Sequence, residues 1–244
     1  MKTNAFILIL TTFATLLITG CEKTNFGIIR PSAHVSSTTY PITAITELDV
    51  ADRFDVEVNF SDSENDLRIE ANENLHQYIV VEQAGGKLTI QLKRFHPSIS
   101  GVPVLKVYLT TPSVQSFKAE GSTTIHVLDP WLVNQASIEL TGASAWYGTL
   151  EANRLDAELS GASTLSLEGS VQDFAVNAEG ACEMTGFAFE VGKLDADLSG
   201  ACSLSLTVQD AMRVRATGAS MVYYQGNAVI EYQNLTGGSQ IIKR

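Results

Sequence analysis

The sequence predicts an all-β fold: a single-stranded parallel β-helix, a solenoid with about 18–21 residues per rung. Two observations carry this reading. A short phrase recurs as Gly121-Ser122-Thr123, Gly142-Ala143-Ser144, Gly161-Ala162-Ser163, Gly180-Ala181-Cys182, Gly200-Ala201-Cys202 and Gly218-Ala219-Ser220, at spacings of 21, 19, 19, 20 and 18 residues. Gly238-Ser239 reads as a looser seventh copy, 20 residues further on. On either side of each glycine, apolar and polar residues alternate, which is the period of a strand with one buried face and not of a helix. A unit this short cannot bury its apolar face alone, so neighbouring copies must stack.

In chain order, residues 1–20 read as a signal peptide. Met1-Lys2-Thr3-Asn4 carries positive charge, and Ala5 to Leu17 is an apolar run too short to span a bilayer as a helix. Ile18-Thr19-Gly20-Cys21 resembles a bacterial lipobox, in which the chain is cut before Cys21 and the thiol carries a diacylglyceryl group. Acyl chains contribute about 0.8 kcal/mol per buried CH₂, so lipid on Cys21 would make the membrane a partner. Glu22, where an aspartate would resemble the inner-membrane retention signal, favours an outer-membrane lipoprotein of the cell envelope; the periplasmic and the surface-exposed face both stay open. Residues 21–43 are polar, with Pro31, Pro41 and Ser36-Ser37-Thr38-Thr39, and read as a lipid-anchored tether.

Residues 44–244 read as one β-helical domain. Its first part, 44–115, alternates less regularly, in Ile45 to Val50, Phe54 to Phe60, Leu67 to Ala71, Ile79 to Gln83, Lys87 to Leu92 and Val104 to Leu109. Terminal rungs of a solenoid are atypical because they cap an open edge, so these are taken as irregular first rungs. From 116 to 240 the rungs are regular. Four residues before the glycine stand Phe117, Ile138, Ala157, Val176, Ala196 and Val214; two before stand Ala119, Leu140, Leu159, Ala178, Leu198 and Ala216. After it come Ile125, Trp146, Leu165, Met184, Leu204 and Val222, while His126, Tyr147, Ser166, Thr185, Ser205 and Tyr223 should point outward. The glycine supplies a corner, and the small residues behind it let corners stack closely. A third short strand closes the rung, visible in Phe187-Ala188-Phe189 and Ala228-Val229-Ile230.

Several segments resemble a known family. Phe54-Asp55-Val56-Glu57-Val58, Ile69-Glu70-Ala71-Asn72-Glu73-Asn74-Leu75 and Gly86-Lys87-Leu88-Thr89-Ile90 resemble the opening of the putative auto-transporter adhesin head domain, or GIN domain, common in Bacteroidetes envelope proteins. Leu159-Ser160-Gly161-Ala162-Ser163 and Leu198-Ser199-Gly200-Ala201-Cys202 look like its recurring Ser-Gly-Ser-Gly corners, with Ala or Ser after the corner glycine where the family often has Ser-Gly. The resemblance covers about residues 45–240. It implies a right-handed β-helix and an adhesin-like role, and brings no catalytic or ligand residues.

With the signal removed, 15 basic residues face 27 acidic ones, a net charge of −12 that argues against a nucleic-acid partner. No His or Cys pair has zinc-ligand spacing, and no nucleophile elbow, phosphate loop or dinucleotide fingerprint occurs, so neither metal, cofactor nor catalytic residue is expected. Stacked acids do occur, Asp156 with Asp195 and Glu139 with Glu158 and Asp197, as a polysaccharide-active enzyme would need, but Ala175 and Asn177 interrupt both columns. Cys182 and Cys202 fall one rung apart, about 4.8 Å, in an oxidising compartment; they read either as a disulfide or as small residues in a column otherwise filled by serine. Trp146, Tyr147, Tyr223 and Tyr224 are the candidate ligand-contact aromatics, since flat rings stack on sugars. The function expected is a non-enzymatic adhesin that presents a surface to glycans or proteins. The alternatives are a polysaccharide-active enzyme on the same scaffold and a structural partner of an envelope complex.

Overall fold

A computed structural model describes residues 27–244. The strands that lead into the corners stack in parallel, Ser116–Ala119 on Gln135–Leu140 and then through 154–159, 173–178, 193–198 and 211–216. The strands that leave the corners stack likewise, from Thr124–Val127 through 145–147, 164–166, Glu183–Thr185 and 203–207 to Met221–Gln225 and Gln240–Lys243. These form a leading and a trailing face. A third face closes each rung, with Trp131, Leu150, Gly169 and Phe189 in one column and Ala152, Val171 and Val191 in the next. The product is a β-solenoid.

Its interior is the set of apolar columns. Phe117, Ile138, Ala157, Val176, Ala196 and Val214 are buried, as are Ile125, Trp146, Leu165, Met184, Leu204 and Val222. Each large side chain removed from water in this way contributes about 1.5–3 kcal/mol. Three of the widest residues meet across two neighbouring rungs, where the Phe117 ring lies 4.8 Å from Trp131 and 5.9 Å from Trp146. Trp131 Nε1 donates to the Val114 carbonyl at 2.6 Å, which satisfies the buried indole. Gly148 makes room for its neighbour: a Cβ there would press on the Trp146 ring.

The corners show why glycine recurs. Gly121, Gly142, Gly161, Gly180, Gly200 and Gly218 have φ between +80° and +107°, a region other residues avoid. The next residue's N–H donates to the glycine carbonyl one rung below, at 2.7 Å for Ala143, Ala162, Ala181, Ala201 and Ala219. A Cβ on any of these glycines would overlap the carbonyl oxygen beneath it. Glycine is therefore demanded by conformation and by close approach together. The seventh corner is shifted by one residue from the sequence reading: Gly237 has φ +70°, and Gly238 N–H makes the 2.6 Å bond to Gly218. Ser239 then falls in the serine column.

The base departs from a simple run of rungs. Asp52 forms the first corner, with φ +80°, the one non-glycine with positive φ among the described residues. Leu48, Val50 and Val56 around it occupy the inward columns. Its carbonyl accepts from Ser122 N–H, and its carboxylate Oδ2 accepts from Leu92 N–H at 2.6 Å. Lys87–Leu92 and Leu105–Thr111 lie under 47–60, and 47–60 lies under 116–127, so the lowest two rungs are stacked out of chain order.

Below them the stack turns antiparallel. Ile79–Ala84 pairs with Lys87–Leu92, Asp66–Asn72 pairs with Leu105–Thr111, and Val35–Tyr40 pairs with Asp66–Asn72. A 3₁₀ turn at Glu73–Tyr78 inserts the buried Leu75. Residues 27–43 are thus not a tether: Val35–Tyr40 is an edge strand of the sheet, and Ile28–Ile29 pairs in parallel with Ser98–Ile99. Polar composition concealed them because an edge strand exposes much of its length, and Thr, Val and Tyr suit a strand whatever their polarity. Among the described residues the buried core runs from Ile45 to Tyr224, and the lowest paired strand begins at Ile28. A fragment of residues 24–244 therefore contains every described strand. The signal peptide expected over 1–20 lies outside the described residues.

Two substitutions separate the demands on glycine. Gly161→Ala places a Cβ against the Gly142 carbonyl at a φ of +81°, and should cost at least about 2 kcal/mol. Gly101→Ala has a φ of +98° with nothing within 4 Å of the new Cβ, and should cost about 1 kcal/mol. Urea unfolding of the two variants checks the difference.

Candidate binding face

The trailing face carries the outward aromatics. Its central column reads Tyr108, Glu57, His126, Tyr147, Ser166, Thr185, Ser205, Tyr223 and Ile242 from base to top. His126 and Tyr147 stack with ring centroids 5.0 Å apart and planes 11° from parallel. Asp55 Oδ1 sits 3.9 Å from His126 Nε2. At the base the Arg68 guanidinium lies 3.8 Å over the Tyr108 ring, and at the top Arg244 lies 4.7 Å from the Tyr223 ring centre. Between Tyr147 and Tyr223 run the three small hydroxyl residues. Four rungs separate the two tyrosines, about 19 Å along the solenoid.

Of the four aromatics singled out from sequence, two belong to this face. Tyr147 is 37 % exposed and Tyr223 half-buried. Trp146 and Tyr224, at 0 % and 8 % exposure, point into the core and are excluded as surface contacts. The alternation that aims Tyr147 and Tyr223 outward aims their neighbours inward. His126 is the contributor that alternation alone does not single out: it falls in the outward column, and its pairing with Tyr147 follows from the register. Cys21 lies outside the described residues.

The leading face is acidic instead. A shallow groove of 480 Å³ is lined by Glu139, Glu158, Glu179 and Asp197 with small polar residues between. Lys118 bridges Glu120 and Glu139 at 3.0 Å each, and these hydrogen bonds push its pKa up. Arg215 faces Asp195 at 3.4 Å and Asp197 at 3.9 Å, and Arg154 clasps Asp156 through two nitrogens. Among the described residues no three His, Cys, Asp or Glu side chains are grouped to hold a metal.

Cys182 and Cys202 are free and buried, not bridged. Each Sγ points back to the carbonyl three residues before it, Glu179 at 3.3 Å and Ser199 at 3.4 Å. Ser144, Ser163 and Ser220 make the same bond to Thr141, Ser160 and Thr217 at 2.9, 2.8 and 3.2 Å. Parallel stacked neighbours aim alike, each at its own corner, so the thiols act as hydroxyl substitutes. Burial pushes the Cys182 thiol above its ordinary pKa.

A family model described as "Putative auto-transporter adhesin, head GIN domain" matches residues 44–228. The chain belongs to this family. Solved structures agree with the GIN-domain fold at low identity. A putative adhesin from Bacteroides fragilis has a TM-score of 0.77 at 16 % identity, covering 88 % of this chain and 97 % of that one. A putative lipid binding protein from Parabacteroides distasonis has a TM-score of 0.73 at 20 % identity, covering 89 % and 99 %. A putative adhesin from the same species gives 0.73 at 16 %, covering 89 % and 100 %. At such identities the likeness shows the solenoid alone. No curated protein matches this GIN domain.

Cys182→Ser and Cys202→Ser should each leave stability within about 1 kcal/mol of the parent, because serine makes the same corner bond in three neighbouring rungs. In the folded protein at pH 8 both thiols should resist a soluble disulfide reagent and react after unfolding in guanidinium. Fast labelling of the native protein would show that the corner column is open.

Proposed function

We propose that the chain is a lipid-anchored cell-envelope protein, held through Cys21 at the outer membrane, which binds extracytoplasmic ligands and catalyses nothing. The family supports an adhesin-like role in the envelope, and among the described residues no helix is long and apolar enough to cross a membrane. The trailing face is the binding surface, and a glycan is the ligand class it suits best. The observation that carries this is the outward column itself: a stacked His126–Tyr147 platform, a run of Ser166, Thr185 and Ser205, and then Tyr223 under Arg244. Aromatic faces stack on sugar rings, and a hydroxyl ladder repeating at rung spacing offers hydrogen bonds along an extended chain without a deep pocket.

An enzyme on this scaffold has less behind it. Glu139, Asp156, Asp195 and Asp197 of the leading face are engaged by Lys118, Arg154 and Arg215, and Ala175 and Asn177 break the acidic columns.

A glycan array with the soluble 24–244 fragment tests the binding reading. Tyr147→Ala and Tyr223→Ala should each weaken a positive signal about tenfold or more while leaving the melting temperature within a few degrees. Trp146→Ala should instead cost about 3–5 kcal/mol of stability, since that ring is wholly in the core. Binding that survives both tyrosine changes would move the site off this face. Protease shaving of intact cells decides between the periplasmic and the outer side.

A further inference from the structure

We propose that the loop 93–103, with the strand Ile28–Ile29 paired to it, is a membrane-contacting foot that seats the solenoid on the headgroup surface of the bilayer. This rests on the reading of Cys21 as the lipid-bearing residue. Because Ile28–Ile29 and Val35–Tyr40 belong to the folded body, only residues 22–26 separate Cys21 from Gly27. Six chain steps reach at most about 20 Å, so an anchored Cys21 holds this end of the molecule close to the lipid surface. Gly27, where the described chain begins, accepts a hydrogen bond from Ser98 N–H of this loop.

Its chemistry fits such a surface. Ile28, Phe95 and Val102 are 75 %, 68 % and 94 % exposed, and all three lie in this loop and its partner strand. Exposed apolar side chains carried on one short element, Ile28 and Val102 foremost, are what an interaction surface presents. Residues 27–30 and 93–103 hold Arg30, Lys93 and Arg94 and no acidic residue, in a chain whose net charge is −11. The Arg94 guanidinium stands 5.7 Å from the Phe95 ring centre, an apolar body beside a cation, as the interfacial layer of an anionic bilayer favours. A basic, apolar patch is complementary to anionic lipid headgroups and acyl chains together.

The element is also fixed in place. Ile29 and Ile99, on the opposite side of the paired strands, pack against the core. Asn72, 6 % exposed, ties both segments to the base: its Nδ2 donates to the Ser32 carbonyl at 2.7 Å and its Oδ1 accepts from Val104 N–H at 2.7 Å. The exposed side chains are therefore presented by a braced loop.

The test uses Phe95→Trp in the 24–244 fragment and in the full-length chain processed in cells, each mixed with vesicles of phosphatidylethanolamine and phosphatidylglycerol. Trp131 and Trp146 are buried and shielded from lipid, so the change in emission on adding vesicles reports on the added tryptophan. The expected result is a blue shift of its emission and quenching by brominated acyl chains, weakening as salt rises. Lys93→Gln and Arg94→Gln should each lower vesicle affinity about fivefold. Silence in both proteins at low salt would overturn the proposal, and so would binding left unchanged by Phe95→Ser with Val102→Ser. Radiolabelled palmitate on Cys21, lost in Cys21→Ala, is scored separately. A labelled chain whose Phe95→Trp reporter stays silent refutes the foot and keeps the anchor; an unlabelled chain whose reporter responds does the reverse.

Discussion

Everything above the base hangs on one repeated contact, the hydrogen bond from the residue after each corner to the corner carbonyl beneath it. From Ser122 on Asp52 up to Gly238 on Gly218 these bonds measure 2.6–2.7 Å. They require backbone to approach backbone with no Cβ between, and that approach sets the register of both flanking faces. Once the corner is fixed, period two decides which side chains are inside. A one-residue slip would turn every column over, and the glycine forbids the slip by fitting in one place only.

Much of this was legible in the sequence. Six corner glycines, the inward columns around them and the outward Tyr147 and Tyr223 follow from spacing and alternation, because a solenoid writes the same local problem many times. The irregular parts were harder for definite reasons. Asp52 hid the first corner: it takes a positive φ without being glycine, and no glycine carbonyl lies under it to exclude a side chain. Its flanking Leu48, Val50 and Val56 carried the pattern, but 69 residues separate it from Gly121. The strand Val35–Tyr40 was masked by its polarity, which is what an edge strand should have. Trp146 and Tyr224 were misleading as surface aromatics because adjacency in a strand means opposite faces.

The two outer faces show how one scaffold can separate roles. On the leading face the charges are paired across and along rungs, Lys118 to Glu139 and Arg215 to Asp195, which leaves a solvated and largely self-satisfied surface. On the trailing face, cations sit over rings: Arg68 over Tyr108, and Arg244 over Tyr223. Aromatic and guanidinium groups so placed keep apolar area at the surface without burying it. The corner serines and thiols, in contrast, commit their polar atoms to their own backbone and have nothing left to offer a ligand.

The inverted order of the two lowest rungs bears on how the molecule comes to be. Residues up to Thr111 must close on one another, through pairings that span many residues, before Ser116–Ala119 has a strand on which to settle. From there each rung meets a finished template, and its partner is always the stretch of chain just laid down, about twenty residues back. The slow, long-range search is thus confined to the base, and the remainder can grow like a zipper toward the C-terminus. Length becomes an adjustable property, since a rung can be gained or lost in the middle without disturbing either end.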